Sequence, residues 1–325
     1  GCKSEVGKSF TAKQEITEIA LKDKDAEIII IDPEAEYKSL IQKLGGEVIK
    51  ISANSNNHIN ALDINKNYGE GKDPTKDKAE FVLSLCEQIM GNDTEISGHK
   101  TLIDRCVKEV YANYKHRNYQ GVAPTLEDFR QVLLKQNERQ AKDIALSIEL
   151  FTKGSLNTFA KPTNVQVNNR LICYDIIDLG EQLMPVGMLV ILDNIINRIS
   201  RNRKVGKTTY IFIDEIYLLF QRQYTSMFMS KLWKRIRKYG GCATGITQNI
   251  EEIIENPKAR LMLSNSELII MLNQSTSDRD KLAELLHIPD TELNFITNSG
   301  TGEGLIKVRN SIVPFENKFP KNTEL

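Results

Sequence analysis

Thr208–Phe220 reads TTYIFIDEIYLLF, an apolar β-branched and aromatic run that ends in two adjacent acids, Asp214 and Glu215. Alternating or continuous apolar residues of this length suit a strand buried on both faces. Such a strand aims both carboxylates at one edge of a sheet. There Asp214 suits a Mg²⁺ ion held through water, and Glu215 suits polarising an attacking water, the arrangement of a Walker B site. A strand that merely ends in a solvated acidic turn is the competing reading.

The first helix-length segment supplies the counterpart. Gly7-Lys8-Ser9 reads as the end of a phosphate-binding loop, in which backbone amides cradle phosphates, a lysine neutralises their charge and a hydroxyl ligates Mg²⁺. The position five residues before Gly7 is Cys2 rather than glycine, and Glu5 puts a negative charge where phosphates would sit. Gly206-Lys207-Thr208 has the same tripeptide pattern but leads into a strand, so the tripeptide alone carries little weight.

Around these two motifs the chain alternates strand-like runs with amphipathic helices, the pattern of an α/β fold with a mostly parallel sheet. Strands are expected at Ala26–Asp32, Glu47–Ser52, Leu171–Leu179, Thr208–Asp214, Gly241–Thr247 and Glu267–Asn273. Helices are expected at Lys8–Leu21, Glu34–Leu44, Glu181–Ile199, Ser226–Tyr239 and Ser277–Leu286, with a β-hairpin at Gly304–Phe315 added at the sheet edge. One block breaks the alternation. From Asp73 to about Lys153 only helical periodicity is present, at Asp77–Met90, Ser97–Lys115, Thr125–Lys135 and Ala141–Phe151. Thr125 followed by Glu127 and Asp128 makes a sound helix start. The expected division is therefore 1–70 with 155–325 as the α/β unit and 71–154 as an all-helical insertion.

Composition narrows the function classes. The 325 residues carry 43 basic and 43 acidic side chains, 40% hydrophobic and 26% charged residues, as in an ordinary globular protein. Zero net charge, and a helical block with equal numbers of acids and bases, disfavour a protein that coats nucleic acid. No uninterrupted apolar run approaches the roughly 18 residues that span a bilayer. Five scattered cysteines and four scattered histidines (His58, His99, His116, His287) form no disulfide framework and no metal cluster. The chain lacks an initiator methionine and opens almost on its first motif, which reads as a soluble fragment of a longer protein.

Further polar candidates follow the second motif. Lys231, Lys234, Arg235 and Lys238 fall on one helix face, read as a solvated basic stripe, with DNA contact as the lesser option. Arg237 lies off that stripe and suits phosphate stabilisation, since a guanidinium matches phosphoryl oxygens. Gln248, after the next strand, suits orienting water or sensing a terminal phosphate, or is a plain turn residue. Asp32-Pro33-Glu34-Ala35-Glu36-Tyr37 ends the strand after the first helix, and its acids read as a helix-start charge cluster or as supporting partners of the site. Asn265 and Arg279 read as structural.

Taken in order, GKSF (7–10), IIIIDPEAEY (28–37), LGGEVIKIS (44–52), NALDI (60–64), NNRLICYDIIDLG (168–180), YIFIDEIYLLF (210–220), LWKRIRKYGG (232–241), ATGITQN (243–249) and MLSNSELIIMLNQ (262–274) resemble the TraC/TraE-type ATPases of conjugation and type IV secretion, through essentially the whole chain. The resemblance implies a RecA-like P-loop NTPase of the HerA/FtsK branch, carrying an all-helical domain. It implies ATP and Mg²⁺ as cofactors, with Gly7, Lys8, Ser9 and Phe10 on the nucleotide and Ser9 and Asp214 on the metal. Glu215, Lys8, Arg237 and Gln248 are then catalytic, Arg237 acting across a subunit boundary. Implied partners are the core channel complex and companion ATPases, and a homo-hexamer is allowed. The implied location is the cytoplasmic face of the inner membrane. A DNA-pumping coupling motor and a binding module with a degenerate pocket are the alternatives.

Overall fold

The computed structural model describes residues 5–69, 73–91, 99–165, 169–297, 299–300 and 302–317. The chain runs α1 (Glu5–Lys22), β1 (Glu27–Asp32), α2 (Lys38–Lys43) and β2 (Glu47–Lys50), then α3 (Pro74–Met90), α4 (Lys100–His116), α5 (Leu126–Leu134), α6 (Arg139–Ser147) and α7 (Glu149–Thr152). It returns through β3 (Leu171–Asp175), α8 (Gly180–Lys204), β4 (Thr209–Ile213), α9 (Gln223–Lys238) and β5 (Gly241–Gly245). The last third is α10 (Ile250–Glu255), α11 (Pro257–Ser264), β6 (Leu268–Met271), α12 (Thr276–Leu286), β7 (Glu303–Val308) and β8 (Ser311–Glu316).

Five strands form one parallel sheet in the order β2-β3-β1-β4-β5. All six residues of the central β1 are buried, as a strand covered on both faces requires. Side chains alternate across the sheet with a period of two. Ile28 and Ile30 meet Ala12, Ile16 and Ala20 of α1 and Leu40 and Ile41 of α2, whereas Ile29 and Ile31 belong to the larger cluster on the other face.

That larger cluster also contains Phe81, Val82, Val107, Tyr111, Phe129 and Ile144, contributed by α3 to α6. Among its described residues the block's regular elements are all helices, and Thr125 and Asp128 form the reciprocal cap that opens α5. Its apolar side chains share one core with the sheet, so it forms a further layer on that face. Polar contacts bind the layer in place. Glu87 of α3 accepts the first amides of α9, from Tyr224 (2.8 Å) and Thr225 (3.0 Å), capping that helix from outside. Two of the four residues of the basic stripe of α9 are engaged here: Lys231 pairs with Glu80 at 2.7 Å and Arg235 with Asp77 at 3.1 Å.

Two expectations change. The run around Glu267–Asn273 does form β6, but β6 pairs antiparallel with β7, which pairs with β8, in a separate three-stranded sheet. The hairpin is therefore not an addition to the edge of the main sheet. Ile269, Met271 and Leu305 face Leu282 and Leu286 of α12, and this small core of its own draws the three strands together. Secondly, Ile177–Lys204 is long and apolar enough by composition to cross a bilayer, although no uninterrupted run suggested it. Some 67% of its most apolar stretch is buried inside the protein, the mark of a core helix.

Candidate nucleotide-binding site

In a parallel sheet with helical crossovers, loops at the carboxyl ends of the strands face one common edge. Asp32, Asp175 and Asp214 all stand at that edge, closing β1, β3 and β4. An open cleft of ≈ 230 Å³ lies there. Lys8 and Ser9 of α1 line it together with Glu34 and Glu36 from the turn after β1, Asp214 and Glu215 after β4, and Ile246 and Gln248 after β5. The lysine at the start of the chain and the acidic pair two hundred positions later thus meet in one cavity.

Local folding explains how the acids are held. Asp214 is 3% exposed, and its Oδ1 accepts the Glu215 amide at 2.9 Å. Glu215 is 6% exposed and adopts a left-handed backbone, φ 47° and ψ 43°, at the junction of β4 with a 3-10 turn, Ile216–Leu219. A non-glycine residue held in that region stores strain that the surroundings must impose. The Ile216 amide bonded to Ile246 O at 3.0 Å is one such constraint. Glu215 Oε2 is buried with no hydrogen-bond partner. Gln248 approaches the same carboxyl as a hydrogen-bonding neighbour.

The cleft sets four carboxylates against one ammonium. Burial pushes Lys8 below its usual pKa, opposed by the charges of Glu215, Asp214, Glu34 and Glu36. Burial raises Asp214 to about 7, reinforced by Glu36, Asp32 and Glu34. Glu215 rises to about 7 through burial and the Asp214 charge, with Lys8 and Gln248 pulling it back. In the metal-free protein both acids therefore keep protons that an unfolded chain releases near the ordinary values of 3.8 and 4.5. The folded state binds more protons between those limits, so stability falls as pH rises from about 5 through 7. Calorimetry of the nucleotide-free protein should show that decline, and Asp214→Asn should flatten it. An equally steep decline in the variant would exclude Asp214 as a source.

Among the described residues no group of three His, Cys, Asp or Glu side chains has the disposition of a self-sufficient metal site. The hard oxygens of Ser9 and Asp214 nevertheless suit Mg²⁺, which is commonly held by one or two carboxylates plus phosphate oxygens and retained waters. The orphaned Glu215 oxygen and the surplus of carboxylates also match a cation or a water yet to be bound. The residues present fit the group.

The structure brings Lys8, Ser9, Asp214, Glu215 and Gln248 together and leaves other candidates elsewhere. α1 begins at Glu5, three residues earlier than expected, so Gly7 and Lys8 lie in its first turn. Phe10 sits further along the helix, does not line the cleft, and its amide belongs to the helical i→i−4 ladder. Cys2, on which the loop consensus turns, lies outside the described residues. Arg237 is not in the cleft of its own chain. A helix joining two parallel strands runs antiparallel to them, so the end of α9 reaches the opposite edge of the sheet, roughly 15 Å away for a five-residue strand. There Arg237 is 75% exposed and binds Glu267 at 2.6 Å. Arg279 bonds Asp280 and Thr297, and Asn265 caps α11, both structural roles.

Glu34 and Glu36 are the residues that sequence reasoning placed too low. Their signal was position: in a parallel sheet, the turn after the strand that follows α1 opens on the same edge as the α1 N-terminus. The second expected helix starts only at Lys38. The Asp32 carboxylate accepts the amides of Glu36 (3.0 Å) and Tyr37 (2.9 Å), holding the segment as a turn with Ala35 at φ 57°.

The fold has solved relatives. VirB4 of Thermoanaerobacter pseudethanolicus superposes with a TM-score of 0.85 at 23% identity, over 98% of this chain and 88% of that one. The bacterial conjugative coupling protein TrwBΔN70 superposes at 0.62 with 13% identity, over 99% and 85%. TrwB in complex with ADP and Mg²⁺ gives 0.62, 13%, 98% and 85%. No curated protein sequence matches the chain. The TraG P-loop domain family matches residues 2–304, nearly the full length, and the chain is a member of that family.

Proposed function

We propose that this chain is an ATP-hydrolysing motor domain that energises a conjugation or type IV secretion apparatus. The observation that carries the reading is the meeting of Lys8 with Asp214 and Glu215 in one cleft at the carboxyl edge of the sheet. The likeness to VirB4 over nearly the whole of both chains supports the setting.

In this reading Lys8 neutralises the β- and γ-phosphates, with Gly7 and Phe10 flanking it on the helix. Ser9 and Asp214 hold Mg²⁺, which when bound supplies charge neutralisation to the transferring phosphoryl group. Glu215 takes a proton from the attacking water, and Gln248 orients that water or Glu215 itself. Arg237, exposed on the far edge, serves a neighbouring subunit's site in an oligomeric ring. The other components of the secretion apparatus are its partners, at the inner face of the cell membrane.

Phosphate release from ATP with Mg²⁺ is the direct test, and Lys8→Ala should reduce it at least tenfold. Absence of turnover by the wild-type protein, with no nucleotide binding by titration, would instead mark a binding module with a degenerate pocket. A DNA-pumping coupling motor is the second reading, motivated by the TrwB superposition. The pairing of Lys231 and Arg235 with acids of α3 reduces the free positive charge of the α9 stripe. Tight DNA retention on filters, falling steeply with salt, would reverse that preference.

A further inference from the structure

Tyr37 is fully buried, its ring packed among Ile16 of α1, Ile30 of β1 and Phe212 of β4, with the Lys13 ammonium 6.0 Å from its centroid. A phenylalanine would fill this space equally well. The hydroxyl, however, lies next to the Asp214 carboxylate without a hydrogen-bond partner. A buried hydroxyl left unpaired is unfavourable, so this one calls for a partner that packing does not provide. A neutral phenol beside a carboxylate that already accepts the Glu215 amide can serve it as a second donor. The turn leading into it is fixed, because the Asp32 carboxylate grips the Tyr37 amide at 2.9 Å and the Glu36 amide at 3.0 Å.

We propose that Tyr37 is a positioning residue for the divalent-cation site, its phenol donating to the Asp214 carboxylate when the site is loaded. This rests on the nucleotide-site reading above. Asp214 Oδ1 already accepts the Glu215 amide. A second donor, delivered from a rigid turn on the other strand, restricts the carboxylate to one orientation and leaves one lone-pair direction for the cation or its water. Partners that orient a metal-binding side chain in this way commonly carry tenfold or more of the metal affinity.

The test measures Mn²⁺ binding by electron paramagnetic resonance in the presence of ADP. It compares wild type, Tyr37→Phe, Asp214→Asn and the double variant. Tyr37→Phe should weaken Mn²⁺ half-saturation about tenfold, the effect of one charge-assisted hydrogen bond, while ADP binding in chelator stays unchanged. In the Asp214→Asn background the same change should have no further effect. If Asp214→Asn weakens Mn²⁺ and Tyr37→Phe does not, the hydroxyl is only a packing feature and the inference falls while the site stands. If the wild type itself binds no Mn²⁺ with ADP, the nucleotide-site reading fails, and this inference with it.

Discussion

Glu215→Gln is expected to lower ATP turnover at least a hundredfold while leaving nucleotide binding intact or tighter. General-base assistance by a positioned carboxylate contributes roughly 10²–10⁴ in rate, and an amide of the same shape cannot take the proton. Binding should not suffer, because the substitution removes a negative charge from a cleft where Asp214, Glu34 and Glu36 already crowd Lys8. It also leaves the backbone amide that caps Asp214 in place. Phosphate release under single-turnover conditions and fluorescent-nucleotide titration would measure the two effects separately. A variant that hydrolyses at the wild-type rate would transfer the water-polarising role to another carboxylate of the cleft, with Glu36 the first to examine.

The largest effect on stability is expected at a site remote from the cleft. Lys78 of α3 is 0% exposed and its Nζ lies 2.5 Å from Asp193 Oδ2 of α8, itself 4% exposed. It also meets Asp63 O at 3.2 Å and the faces of Phe81 and Tyr68, 4.1 and 5.2 Å to their centroids. Tyr68 donates to the same aspartate. Burial lowers Lys78 and raises Asp193 from their usual pKa values, each partner opposing the shift of the other. Such a pair adds little net stability but is costly to break, because one partner alone is a desolvated charge. Lys78→Ala should therefore cost about 3–5 kcal/mol in urea unfolding. The double variant Lys78→Met with Asp193→Leu should recover most of the loss. A single variant within about 0.5 kcal/mol of wild type would mean that water reaches the pair. Because Lys78 and Asp193 join the helical layer to a core helix beneath the sheet, the loss should appear as one transition.

Much of this architecture could be read from residue order. Runs such as EIIIID (27–32) and TYIFI (209–213) are too continuously apolar for anything but covered parallel strands, and both form there. The helices of the 74–152 block follow from their own periodicity, and the Thr125 cap from local chemistry alone. The acidic pair at the end of β4 needed only the strand before it to point it at the sheet edge. Less was legible where contacts span many residues. Nothing in the sequence of α9 distinguishes a lysine facing water from one facing Glu80, or shows Arg237 at the wrong edge for its own cleft.

The sequence by itself determined which segments become strands and helices and which acids and lysine are the candidates for the chemistry, because periodicity, caps and strand-end carboxylates act over a few neighbours. Only the tertiary structure decided that β6 leaves the main sheet for the hairpin, that the helical layer shares the sheet's core, and that Glu34 and Glu36 line the cleft. Those outcomes depend on which faces meet across a hundred or more residues, where burial and charge pairing are settled by the whole chain at once.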